Sequence, residues 1–133
     1  MTMGLKRLIP AIAAIALGAA AAQAAPGPDA KAGCFSTRSW DGWSASADGD
    51  TLYLRVDRRD VYRVDLTKGS HVRKDADRFL INQVRGSDWV CSPLDLQLTL
   101  SDHQGFREPL IARALRKLTP QEVAALPAKE RPR

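Results

Sequence analysis

Residues Thr51 to Leu66, TLYLRVDRRDVYRVDL, constrain the fold of this chain more than any other stretch. Leu52, Leu54 and Val56 alternate with Tyr53 and Arg55, the period of a half-buried strand. Tyr62, Val64 and Leu66 alternate with Val61, Arg63 and Asp65 in the same way. If the even-numbered side chains of both arms share the core face, paired residues must sum to an even number, because a slip of one residue would expose a whole set. A two-residue Arg58-Arg59 turn gives an odd sum and asks two arginines to take positive φ. The hairpin loop is therefore three or five residues, with Asp60 as the residue expected to tolerate the left-handed region. The expected pairs are Val56 with Tyr62, Leu54 with Val64 and Leu52 with Leu66.

That register sets Arg55 opposite Arg63 on the outer face, an unfavourable pair unless anions intervene. Asp57 and Asp65 lie diagonal to them. The face is either a solvated salt lattice, whose exposed pairs contribute about 0–1 kcal/mol each, or an anion-binding stripe made of Arg55, Arg58, Arg59 and Arg63.

The hairpin before it is independently legible. Asp48-Gly49 suits a two-residue type I′ turn, which pairs Ala45 with Leu52 and Trp43 with Leu54. Both pairs fall on the core face already deduced, so the two hairpins agree on a three-stranded meander. Later segments extend the pattern. Arg78 to Val84 and Asp88 to Cys91 read as strands, and Leu94, Leu96, Leu98 and Leu100 alternate with polar residues. Arg107 to Leu118 has a helical period, with Pro109 placed for a first turn. Thr119-Pro120-Gln121-Glu122 is a capping box that opens a short helix through about Leu126, and Pro127 ends it.

The amino terminus has the form of an export signal. Lys6 and Arg7 precede an apolar run from Leu8 to Ala22, and Ala22-Gln23-Ala24 supplies a small-x-small cleavage site. The run is shorter than the ~18–20 apolar residues that span a bilayer, and no later stretch approaches that length. Ala32-Gly33-Cys34 resembles the end of a lipidation site, but Cys34 lies too far beyond the apolar run. The expected organisation is a signal peptide over 1–24, a flexible lead-in over 25–33, a β domain over 34–126 and a disordered tail over 127–133. After cleavage the protein is expected in the periplasm or outside the cell, with no transmembrane segment.

Cleavage also changes the charge. The whole chain has 20 basic and 15 acidic residues. Without Lys6 and Arg7 the balance is 18 against 15, a mild excess spread along the chain. An exported protein with no dense basic block is not expected to bind nucleic acid. Two cysteines in an oxidising compartment, Cys34 and Cys91, predict a disulfide.

Motifs that carry chemistry are sparse. His71 with Asp75 and Asp77 would be a loose metal set, and Asp102-His103 lies in a turn. Neither is assigned a metal or a catalytic role, and no cofactor is expected. Trp40 and Trp43 flank Asp41-Gly42. Trp43 belongs to the core face, and Trp40 either covers the end of the sheet or stacks on a sugar or peptide.

The order of these residues resembles a family of small exported bacterial proteins of unknown function. Cys34 opens the domain, followed by the D-G-D-T-L-Y-L hairpin, Y-R-V-D-L, the R-F strand and the V-C-S segment. L-T-P-Q-E-V-A-A-L closes it. The resemblance covers about residues 34–126. Members often carry two further cysteines, near His71 and near Phe106. Their joint absence here implies that they pair with each other, leaving Cys34 for Cys91. The resemblance also implies a strand at about Leu110 to Lys117, against the helical period, and the strand is adopted here. The expected fold is mainly β: one antiparallel small barrel or sandwich of six to seven strands, with a short C-terminal helix. The expected function is a non-enzymatic binding or envelope-associated module acting through the basic hairpin and the Lys68–Asp77 loop. Its partner would be an envelope component or periplasmic protein. An inhibitor or chaperone of a secreted protein is the alternative, and a small hydrolase a distant third.

Overall fold

A computed structural model describes residues 33–133. The expected export signal, and the expected lead-in as far as residue 32, lie outside the described residues. Among the described residues nine strand segments form three antiparallel sheets, and one short helix follows them. The strands are β1 (Phe35–Ser36), β2 (Trp40–Ala45), β3 (Thr51–Val56), β4 (Asp60–Leu66), β5 (Arg78–Asn82), β6 (Trp89–Val90), β7 (Leu98–Asp102), β8 (Arg107–Leu110) and β9 (Ala112–Lys117). Helix α1 spans Pro120–Ala125. The larger sheet runs β2-β3-β4-β9, the second β5-β7-β8, and β1 pairs only with β6.

The meander is present, and the even-numbered residues do form its core face. Leu52, Leu54, Val56, Tyr62, Val64 and Leu66 join Phe35, Trp43, Val72, Val90 and the leucines of β7 in one buried cluster. In the first hairpin Trp43 pairs with Leu54 and Ala45 with Leu52, as expected. Its turn differs from expectation. The Ser46 amide donates to Thr51 O and the Gly49 amide to Ser46 O, and only Gly49 has positive φ. The loop is therefore four residues long, with glycine alone taking the left-handed position. A side chain at Gly49 would also collide with the backbone of His71 and Val72.

The second hairpin keeps its faces but slips by two residues. Leu54 pairs with Tyr62, Leu52 with Val64 and Val56 with Asp60. The loop is the three-residue alternative, Asp57-Arg58-Arg59. Asp57 (φ 51°) and Arg58 (φ 64°) take the left-handed positions expected of Asp60. A two-residue shift preserves parity, so the core face is unchanged while each cross-strand partner changes.

Residues 107–117 are extended, as the resemblance implied and the helical period did not. β8 and β9 are separated by Ile111 alone, so one bent strand links the two larger sheets. Asp65 pairs with Ala114 and Leu66 with Ala112, which leaves Arg113 as an extra, bulged residue. The expected strand from Leu94 starts late. Pro93–Asp95 is a 3₁₀ turn in which Asp95 accepts from the Cys91 and Ser92 amides, and Leu94 is 88% exposed.

The outer face of the meander is not bare. Tyr53 and Val61 are buried beneath Leu118, Val123 and Leu126. Thr119 caps α1 through the Glu122 amide, and Glu122 returns the bond to the Thr119 amide. Residues 127–133, expected as a disordered tail, instead include a 3₁₀ turn at Ala128–Glu130 that packs on β2. Ser44 Oγ donates to Glu130 O, the Ala47 amide to Glu130 Oε1, and the backbone of Arg133 lies over Gly42.

Cys34 and Cys91 are disulfide-bonded, with Cα atoms 4.2 Å apart. The bridge sits beside the Phe35–Val90 pair, which anchors β1 and β6 in the core.

Candidate functional site

The four arginines of the hairpin do not form one stripe. The slip sets Arg55 opposite Val61, and Arg63 opposite Tyr53. Arg55 instead bonds Asp41 at 2.6 Å, and its guanidinium holds the Asp41 carboxyl below the usual carboxylate range. Arg63 bonds Asp65 at 2.8 Å. The like-charge confrontation expected within the hairpin occurs between strands β4 and β9, where Arg63 faces Arg116. It is relieved because Arg116 pairs with Glu122 at 2.6 Å and Arg63 with Asp65. At the tip, Arg59 lies 3.7 Å from Asp60, and Arg58 has no ion-pair partner among the described residues.

The Lys68–Asp77 loop is tied down at its first half. Asp50 accepts from the Gly69 and His71 amides, and Gly49 O accepts from the Val72 amide. Val72 is buried. His71 is exposed with φ 49°, while the His103 ring packs on Phe79 at 5.2 Å. Among the described residues no group of three or more His, Cys, Asp or Glu side chains is arranged to hold a metal ion.

A further concavity lies elsewhere. Following hydrogen-bonded neighbours and the bent β8–β9 strand, the order is β5-β7-β8/β9-β4-β3-β2. Among the described residues its two ends, β2 and β5, have one sheet neighbour each, and both line the same groove. The groove measures about 480 Å³ and is lined by Trp40, Trp43, Leu80 and Val84, with Thr37, Asp41, Gly42 and Asn82. Trp40 is half-buried there; its indole N–H donates to Gly42 O at 2.8 Å.

Both edges offer backbone. The Ser46–Thr51 bond fixes which β2 residues bond to β3, and the antiparallel alternation turns the peptide groups of Trp43 and Ala45 toward the free edge. The Gln83–Gln97 bond similarly turns those of Leu80 and Asn82 outward from β7. Strand β5 contains no fully buried residue; Phe79, Leu80 and Ile81 are all partly exposed. At one end Lys74 Nζ donates to Trp43 O at 2.5 Å and lies 5.2 Å from the Trp43 ring. Burial pulls the Lys74 ammonium below its ordinary pKa, and the neighbouring Arg55 and Arg133 cations push the same way.

Sequence reasoning placed Trp43 and Trp40, and Lys74 only as one residue of the Lys68–Asp77 loop, but missed Leu80, Asn82 and Val84. A signal was present: Phe79-Leu80-Ile81 puts apolar side chains on both faces of a strand that ends a sheet.

Comparison with protein-family models, with curated proteins and with solved structures finds no match.

Proposed function

We propose that this chain is an exported binding module, related to the family of small exported proteins its residues resemble, and that it engages its partner at the groove between β2 and β5. The observation that carries the reading is the pairing of two open strand edges with a mixed lining whose apolar half includes two tryptophans. Its volume falls within the ~300–1,000 Å³ of ordinary ligand sites. The disulfide and the signal-like amino terminus support export. On this reading the protein is an open barrel whose last interstrand space is left for a partner.

The hairpin remains a second, smaller surface, narrowed from four arginines to Arg58 and the more loosely paired Arg59, because Arg55 and Arg63 each bond a carboxylate closely.

A photo-crosslinking amino acid placed at Val84, which is 51% exposed in the groove, and separately at Arg58, tests the assignment in an exporting host. A discrete adduct from Val84 is the expected result. Adducts from Arg58 alone would move the binding face to the hairpin tip, and none from either position would remove the binding reading.

A further inference from the structure

Resting on the groove as the binding face, we infer that its occupant is an extended segment of another polypeptide, added as a strand between β2 and β5 and carrying an acidic side chain that meets Lys74.

The backbone argues for a strand. A small apolar molecule would fill the groove between Trp40, Trp43, Leu80 and Val84 but leave the peptide groups on both edges without partners. An extended chain supplies alternating N–H and C=O groups to each edge, while its alternate side chains enter the apolar lining. Edge strands in stable proteins are blunted by charge, proline or cover. Here a lysine blunts the β2 edge: Lys74 occupies Trp43 O, the acceptor an incoming strand would take.

The charges argue for the acid and for its position. A strand that reaches Trp43 O displaces the Lys74 ammonium, which then needs a new partner. The described residues place no carboxylate within ion-pair distance of Lys74, whereas Arg55 and Arg133 crowd it with positive charge. A carboxylate on the incoming segment satisfies the ammonium in a partly desolvated place, where opposite charges attract more strongly than in water. Asp41 already pairs with Arg55, which leaves Lys74 as a cation beside the groove without a carboxylate of its own among the described residues. The guard and the recognition element are the same side chain.

The probe is an acetylated, amidated eight-residue peptide of alternating threonine and valine with one central aspartate. It is added to the oxidised protein and followed by tryptophan fluorescence. It should bind at least tenfold more tightly than the same peptide with lysine in place of aspartate. Lys74→Gln should abolish that preference and Lys74→Arg should keep it. N-methylation of alternate amides, which removes the donors a strand must supply, should weaken binding at least tenfold. Equal binding of the aspartate and lysine peptides, or of the N-methylated and plain forms, would overturn the inference. So would a concentration-dependent dimer that excludes the peptide, because the occupant would then be a second copy. Displacement of the peptide by a synthetic segment of residues 25–32 would assign the groove to this chain itself. If Val84 crosslinks to a partner while the peptide arms fail, the groove remains the binding face and strand addition alone is wrong.

Discussion

Replacing both cysteines with alanine should cost about 4 kcal/mol, and the structure shows where that cost arises. The bridge joins residues 57 apart in sequence. Chain-entropy closure of a loop that long removes roughly 14 cal/mol/K from the unfolded ensemble, or about 4 kcal/mol at 25 °C. Little else holds the linked segments. β1 and β6 are two residues each, with two paired positions between them, Phe35 with Val90 and Ser36 with Trp89. The Thr37 amide to Asp88 O and Ser36 Oγ to Asp88 add two hydrogen bonds. Phe35 is only 3% exposed, and its burial is worth about 1.5–3 kcal/mol, enough to keep β1 docked without the bridge. The native fold should therefore survive, with the loss expressed in the unfolded state. Urea unfolding followed by tryptophan fluorescence should show a lower midpoint and a slightly larger slope, since an unlinked chain exposes more surface. Hydrogen exchange should show the Phe35 amide still protected. A loss below about 1 kcal/mol, or two alkylatable thiols in the native protein, would refute the argument. A loss near 4 kcal/mol is a large share of the ~5–15 kcal/mol typical of a domain.

Leu118→Ala should destabilise by about 2–4 kcal/mol by opening a cavity over Tyr53 and Val61, measured in the same urea titration; a change under 0.5 kcal/mol would mean the C-terminal cover is not packed. The Glu122 carboxyl lies below its ordinary value of 4.5, chiefly through its bond to Arg116 and then the Thr119 amide. A depressed carboxylate stabilises the fold above its unfolded pKa, and that contribution is lost as pH falls through the folded value. The cover over Tyr53 should accordingly loosen in acid below about 4.5, seen in the Tyr53 amide resonance, and Glu122→Gln should remove that pH dependence. The Arg55→Gln, Arg63→Gln double variant should lose no more than about 1 kcal/mol per exposed pair. Its melting temperature should respond to a polyanion as the wild type does, and a response that vanishes in the variant would restore the four-arginine stripe.

What the sequence made legible follows parity. Alternation in residues 51–66 identifies the inward set, because any even-summed register keeps Leu52, Leu54, Val64 and Leu66 on one face. The register itself depended on whether Arg58 would accept positive φ, a cost that only the packing of the whole meander can override. Arg55 and Arg63 were assigned to a shared stripe through that register, so the stripe fell with the pairing. The helical period misread the bent strand for a related reason. Its inward residues are Leu110, Ala112 and Leu115, spaced by two and then by three, because the bulge at Arg113 inserts a residue. A spacing of three imitates a helix turn in a linear reading. Pro109 strengthened the imitation, although it sits comfortably in β8 opposite Thr99.

The groove escaped a linear reading because it is made by two strands that do not pair. β2 was recognisable as one arm of a hairpin and β5 as an isolated apolar run, yet nothing in either segment states that they end the same strand order. The bent strand creates that relation: by serving β7 through β8 and β4 through β9, it brings two small sheets around one core. Closure would require β5 to bond directly to β2. Instead Trp40 and Trp43 occupy the β2 side, and Lys74 occupies the carbonyl of Trp43. Two large indoles and a lysine at an interstrand boundary hold the edges open while covering part of their polarity. A chain that needed only stability would gain more by joining those edges, since each added ladder bond is worth about 0.5–1.5 kcal/mol. The open edges are therefore the part of this fold that stability does not explain and that the proposed binding would.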